Sequence, residues 1–276
     1  MSVPFTKMHG LGNDFIVLPN PHGHKPTPAT IAALANRKTG IGFDQALIIE
    51  PPMSEEMDFF YRIFNSDGSE VEQCGNGARC LASWQSRRLG QFNHTWRMGS
   101  PAGIILGTSN EHGESSVAMG CPRFEPADIP FIADRDCLLH DIVVGQQTVH
   151  GSVVSMGNPH LVLEVSDTHS APVETLGPLL ERHPRFPERV NVGFMQRLSA
   201  SHIKLRVFER GAGETLACGT GACAAVVAGR RRGLLDDKVQ VDLPGGTLTV
   251  SWTGESQTVW LKGPTAFVFD GELSDF

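Results

Sequence analysis

The chain has no apolar run approaching the roughly 20 residues of a membrane-spanning helix, and its start, Met1 to Lys7, lacks the apolar core of a secretory signal. A cytoplasmic protein is therefore expected. It also has no Cys-x-x-Cys pair, and six cysteines (Cys74, Cys80, Cys121, Cys137, Cys218, Cys223) are too sparse over 276 residues for a disulfide framework. Reduced thiols are expected. No motif gathers a set of metal ligands, and none described below contains a lysine able to anchor pyridoxal phosphate, so no cofactor and no metal are expected. Net charge is −7 and the pI about 5.9, which argues against a nucleic-acid or anionic-membrane partner and leaves a small zwitterion compatible. With 40% hydrophobic and 19% charged residues, wholesale disorder is excluded.

What the chain does have is an internal repeat. Glu70 to Arg79, which ends in Cys74-Gly75-Asn76-Gly77-Ala78-Arg79, has a second copy in Glu214 to Cys223, which contains Cys218-Gly219-Thr220-Gly221-Ala222. The two cysteines lie 144 positions apart, and the same offset pairs Arg62-Ile63-Phe64 with Arg206-Val207-Phe208 and Gly68 with Ala212. Farther out, Gly12-Asn13-Asp14-Phe15 pairs with Gly157-Asn158-Pro159-His160 at 145. Two diverged copies of one unit explain this most simply.

The pattern predicts two short strands up to Leu18 joined by a turn over Gly10 to Asp14, with Asn13 on the loop. A helix should run from the Thr27-Pro28 cap to about Lys38, echoed by one at Pro172 to His183. Strands are expected at 46–50, 58–65, near Thr95, 103–108 and 115–119, and in the second half at 141–156, 160–165, 202–208, near Val239, Thr247 and Thr258, and at 266–269. Each cysteine should open a helix, the first stopping at Gly90 and the second, over 220–232, so apolar on every side that it must be buried. Many short strands around one buried helix per half imply an α+β fold in which a mixed or antiparallel sheet wraps a central helix.

A helix start leaves backbone N–H groups unpaired and carries partial positive charge, so it binds carboxylates and lowers the pKa of a thiol there. Two such thiols facing one ligand would suit inversion of an amino-acid α-carbon, which requires a proton removed from one face and another returned to the opposite face. Cys74 and Cys218 are the expected catalytic pair; Cys80, Cys121, Cys137 and Cys223 read as small apolar fillers. The N–H groups of Gly75, Asn76, Gly219 and Thr220 are expected to hold the reacting α-carboxylate, although plain helix capping would account for either copy alone.

Met8 to Phe15, Asn65 to Glu70, Cys74 to Cys80, Gly157 to His160, Glu209 to Thr215 and Cys218 to Gly221 together resemble the diaminopimelate epimerase family, in order and along the whole chain. The resemblance implies interconversion of LL- and meso-diaminopimelate without a cofactor, in lysine and cell-wall precursor synthesis. It also implies two pseudo-symmetric domains closing over the substrate, residues 1–119 with 265–276 returning to them and residues 120–264, and a homodimer. Where the family often has tyrosine at its dimer contact this chain has Phe269. On the same resemblance Glu209 and the backbone near Arg210 receive the reacting ammonium, Arg210 clamps the distal carboxylate, and Asn13, Gln45, Asn65, Asn158 and Asn191 make the remaining polar contacts. Individually Asn13, Gln45, Asn158 and Asn191 read as turn residues, while Asn65 occupies the position that Glu209 takes in the second copy, so the symmetry is broken there. His160 and Glu209 are expected to tune the thiols, by charge or by hydrogen bonding.

Three other readings fit parts of the pattern. A proline or hydroxyproline racemase uses a similar cysteine pair, but its ligand would leave Arg210 and the asparagines unpartnered. A non-catalytic amino-acid binding protein would not need both thiols, and a thiol redox protein would need Cys74 and Cys218 to meet.

Overall fold

The structure, a computed structural model, describes residues 2–20, 26–71 and 74–273. Met1 at the start of the first expected strand, and Glu72 and Gln73 of the first cysteine motif, lie outside the described residues. The chain divides into two compact units, Met1–Ala118 with Lys262–Phe276, and Met119–Leu261.

In the first unit β1 (Val3–Gly10) and β2 (Asn13–Pro19) form a hairpin, followed by α1 (Pro28–Ala35), β3 (Gln45–Glu50), β4 (Phe59–Asn65), β5 (Glu70–Val71) and α2 (Gly75–Leu89). β6 (Trp96–Ser100), β7 (Gly103–Ser109) and β8 (Glu114–Ala118) complete it. The second unit has β9 (His140–Val144), β10 (Gln147–Ser155), β11 (Pro159–Glu164), α3 (Val173–Glu181), β12 (Asn191–Ser199), β13 (His202–Glu209) and β14 (Gly213–Thr215). Then come α4 (Gly219–Arg231), β15 (Lys238–Leu243) and β16 (Gly246–Ser251). β17 (Trp260–Pro264) leads into β18 (Ala266–Leu273), which belongs to the first unit.

The pairings repeat strand for strand. β2–β3 and β4–β6 are parallel while β1–β2, β3–β4 and β6–β7 are antiparallel. In the second unit β11–β12 and β13–β15 are parallel, and β10–β11, β12–β13 and β15–β16 antiparallel. β18 lies antiparallel against β1 as β9 does against β10, so the end of the chain fills in the first unit the place that β9 fills in the second. The short hairpins also match at the 144-residue offset: Ile63 faces Val71 and Phe64 faces Glu70, as Val207 faces Thr215 and Phe208 faces Glu214. Each hairpin is closed by the same ion pair, Arg62 to Glu70 at 2.7 Å and Arg206 to Glu214 at 2.6 Å.

Each sheet is covered on both faces, so its inner strands read as continuous apolar runs. In the first unit Ile31 and Ala35 of α1 pack on Phe5, Ile16, Leu18, Ala46 and Ile48. α2 packs on β1, β2, β7 and β8, and its residues from Gly75 to Ser86 are buried. In the second unit Val173, Leu176 and Leu180 of α3 join Leu161, Leu163, Val192 and Phe194. α4, buried from Gly221 to Gly229, sits against β10 to β13 and β16. This is the expected α+β architecture, two duplicated halves each wrapping a sheet around a central helix.

Three local expectations change. α1 ends at Ala35 instead of Lys38, because Asn36 leaves the helical region (ψ 118°) and its side chain accepts the N–H groups of Lys38 and Thr39 at 2.9 and 3.1 Å. Asn13 is not on the loop but opens β2 opposite Gly10, so the turn is confined to Leu11 and Gly12. The strand expected near Thr258 begins at Trp260.

Candidate functional site

Each cysteine is the N-cap of its unit's central helix. Cys74 (φ −145°, ψ 112°) and Cys218 (φ −118°, ψ 109°) are both extended, and the helix turns begin at the next residue. The first intrahelical bonds are Ala78 N–H to the Cys74 carbonyl and Ala222 N–H to the Cys218 carbonyl. The N–H groups of Gly75, Asn76, Gly219 and Thr220 thus precede the helical ladder, which can offer them no carbonyl.

Amide side chains gather near Cys74. Its sulfur lies 3.9 Å from the Asn13 Oδ1, which also accepts from Asn76 Nδ2 at 3.3 Å. Asn13 is held from behind, its Nδ2 donating to Asp44 Oδ2 at 3.0 Å. One strand over, Gln45 Nε2 donates to Asn65 Oδ1 at 2.9 Å, and Asn65 Nδ2 to Ser69 Oγ at 3.0 Å. Two buried acceptors, Asn76 Oδ1 and Gln45 Oε1, have no hydrogen-bond partner among the described residues.

Around Cys218 the environment is charged. Its thiol donates to Glu209 Oε2 at 3.0 Å, accepts the Gly221 N–H at 3.4 Å and lies 3.7 Å from Thr220 Oγ1. The other carboxylate oxygen of Glu209 accepts from the Thr215 hydroxyl. Burial, followed by the charge and hydrogen bond of Glu209, pushes the Cys218 thiol well above its ordinary pKa, against weaker pulls from Thr220 and Gly221. The lowering expected from the helix terminus is therefore reversed here: a helix end is worth about 0.3–1 kcal/mol, less than burial with a carboxylate in contact. Glycine at 221 permits this packing, since a Cβ there would stand 3.2 Å from the Cys218 sulfur and 3.0 Å from Val207 Cγ2.

His160 is buried, and its Nε2 bonds Asn158 Oδ1 at 2.9 Å, while Asn158 Nδ2 reaches Thr220 Oγ1 at 3.4 Å. Burial and the nearby Arg210 charge lower the pKa of His160 to about 3. A ring held neutral brings no charge to its surroundings, and its Nε2 contact is the hydrogen bond to Asn158. Asn191 is buried and structural in its contacts: Nδ2 donates to the Pro159 carbonyl at 2.9 Å and Oδ1 accepts the Arg210 N–H at 3.0 Å. The exposed Arg210 guanidinium donates to the Glu188 carbonyl at 3.1 Å. Phe269 lies on β18, opposite Lys7, 47% exposed and edge-on to Phe5.

Asn65 and Glu209 close equivalent strands, and in the second unit the Glu209 carboxylate stands against the Cys218 thiol. Asp44 and Thr215 hold Asn13 and Glu209; Thr215 stands inside the Glu209 to Thr215 motif and Asp44 outside every motif, and the partners of both are visible only in the fold.

The family model described as diaminopimelate epimerase matches residues 5–125 and 152–268, covering both cysteine motifs. The chain belongs to the diaminopimelate epimerase family. Full-length relatives agree: a diaminopimelate epimerase of Ectopseudomonas mendocina (strain ymp) is 53% identical over 275 residues, covering 99% of each chain. One from Nitrosomonas europaea is 54% identical over 274 residues with the same coverage. Among solved structures, a probable proline racemase from Agrobacterium radiobacter K84 has a TM-score of 0.70 at 14% identity, over 99% of this chain and 93% of its own. A hydroxyproline epimerase from Agrobacterium vitis, with trans-4-hydroxy-L-proline bound, has a TM-score of 0.68 at 13% identity, over 99% and 92%. The diaminopimelate epimerase family shares its fold with these proteins, and at such identities the likeness extends no further.

Proposed function

We infer that the chain inverts one α-carbon of 2,6-diaminopimelate, interconverting the LL and meso isomers for lysine and peptidoglycan precursor synthesis. The observation that supports this most is the pair of cysteine N-caps at equivalent places in two duplicated units, within a chain 53% identical over its full length to diaminopimelate epimerases.

In this reading one cysteine, as thiolate, takes the α-proton and the other, as thiol, delivers its proton to the opposite face of the carbanion. Inversion leaves the two protonation states exchanged, ready for the reverse reaction. Cys218, whose thiol form is favoured by burial and by Glu209, is suited to start as the acid. The α-carboxylate is assigned to the N–H groups of Gly75, Asn76, Gly219 and Thr220, where charge building in the carbanion is stabilised as well. Glu209 receives the ammonium through lone pairs that Thr215 and Cys218 leave unused, since a carboxylate has about four acceptor sites. The unpartnered oxygens of Asn76 and Gln45 are acceptors for ligand N–H groups. Arg210 clamps the distal carboxylate, while Asn13, Asn65, Asn158 and Asn191 orient these groups and His160 holds Asn158. A cytoplasmic location suits six free thiols. A homodimer in contact at Phe269 fits the exposure of Val268 and Phe269.

The test is an NMR assay of the purified protein with LL-diaminopimelate, proline and hydroxyproline in parallel. Appearance of the meso isomer, with no inversion of the imino acids, is expected. Inversion of proline but not of diaminopimelate would overturn the reading.

A further inference from the structure

The corner Glu209-Arg210-Gly211-Ala212 bears the carboxylate that touches Cys218, and every N–H in it beyond Glu209 is tied down. Arg210 N–H donates to Asn191 Oδ1 at 3.0 Å and Ala212 N–H to the Glu209 carbonyl at 3.2 Å. Gly211, at φ +77°, where glycine is favoured, donates its N–H at 2.8 Å to Oε1 of Glu181, the last residue of α3.

Glu181 is 2% exposed, and its backbone carbonyl accepts the Val190 N–H, which locks the residue in place. Its charge is met by Arg182 at 3.1 Å and Arg189 at 3.6 Å, whose side chains are 71% and 51% exposed. Burying an ion pair is a poor route to stability, because desolvation offsets much of the attraction. A charged acceptor does give a shorter, stronger and more directional bond to an N–H. The first unit supplies a comparison. Its corner, Asn65 to Gly68, bears a neutral amide and is braced locally, with Asp67 Oδ1 accepting from the N–H and hydroxyl of Ser69 at 2.8 and 2.6 Å. The buried long-range anchor stands where the corner bears the carboxylate.

We propose that Glu181 is a positioning residue for the epimerisation, holding the Gly211 amide so that the Glu209–Arg210 corner keeps its carboxylate on Cys218 and its guanidinium in place for substrate. This rests on the reading of Glu209 and Cys218 given above.

The experiment compares Glu181→Gln and Glu181→Ala with the unaltered enzyme, measuring kcat and KM for LL-diaminopimelate, thermal unfolding, and hydrogen exchange at the Gly211 amide. Glutamine keeps an acceptor oxygen for Gly211, and kcat and KM should stay within about threefold of the original. Alanine frees the corner: Gly211 should lose protection, KM should rise, and kcat/KM should fall roughly a hundredfold, as for a small displacement of groups that must meet the reacting atoms. A purely structural role would lower only the folded, active fraction, reducing apparent kcat and leaving KM unchanged. That result, or a glutamine variant as damaged as the alanine one, would overturn the proposal. If the unaltered protein is itself inactive on diaminopimelate, the functional reading fails, and the Gly211 exchange comparison still decides whether Glu181 holds the corner: unchanged protection in Glu181→Ala refutes it.

Discussion

Glu209→Gln removes one charge from beside a buried sulfur while preserving side-chain size. With the Thr215 hydroxyl donating to the amide oxygen, the new NH2 group faces Cys218 and becomes a donor where the carboxylate was an acceptor. At the 3.0 Å separation of Glu209 Oε2 from the sulfur, a thiolate and a carboxylate would repel by about 5 kcal/mol at an effective dielectric near 20, an upper bound before relaxation. About a quarter of that is already a tenfold change in ionisation. The variant should therefore ionise Cys218 at lower pH than the parent, and at a fixed pH below the parent's midpoint its alkylation should be at least about tenfold faster. Turnover should fall roughly 10²–10⁴-fold, because the thiol's proton partner and the ammonium's counter-charge are both gone, while thermal stability stays close to that of the parent. The assay is alkylation against pH read by mass spectrometry, with Cys74 in the same molecule as reference. A Cys218 midpoint that stays put or moves upward, or near-normal turnover, would rule out this role for Glu209.

Gly221→Ala places a methyl group 3.2 Å from the Cys218 sulfur and 3.0 Å from Val207, so it should displace the thiol and cut kcat about tenfold or more, with the circular-dichroism melt barely changed. His160 has its pKa depressed to about 3 in the fold, so its stabilising contribution is complete above its unfolded value near 6.5 and is lost as pH falls from there toward 3. Urea unfolding across that range should show stability declining by up to about 5 kcal/mol from this group, and His160→Gln should flatten the slope. Phe269→Asp should convert a species of twice the chain mass to one of the chain mass in light scattering, since it puts a charge into the proposed apolar contact.

The repeat was legible because its elements are local: a strand, a glycine turn and a helix start stay in register at 144 residues, and Arg62 with Glu70 and Arg206 with Glu214 show that the register extends to side-chain pairing. The buried character of α4 was legible from its run of alanines and valines. What the sequence could not show depends on partners far along the chain. Asn13 reads as a turn residue until β2 is seen to begin with it. Glu181 has no motif, and its partner Gly211 is 30 residues away. The protonation of Cys218 departs from the sequence expectation for a physical reason: the helix terminus is readable from sequence, whereas burial and a carboxylate at 3.0 Å, which outweigh it, are not.

Whether one thiol serves each face of the α-carbon can be read by following LL-diaminopimelate in deuterated water and analysing the earliest product by NMR and mass spectrometry. With an acid thiol that exchanges with solvent before it delivers its proton, deuterium is expected at the inverted centre of the first product and little in unreacted substrate. No inversion is expected from Cys74→Ala or Cys218→Ala, each of which leaves one face without a proton carrier. Substantial retention of the original hydrogen in that product, or inversion at the normal rate by either alanine variant, would contradict a thiol on each face.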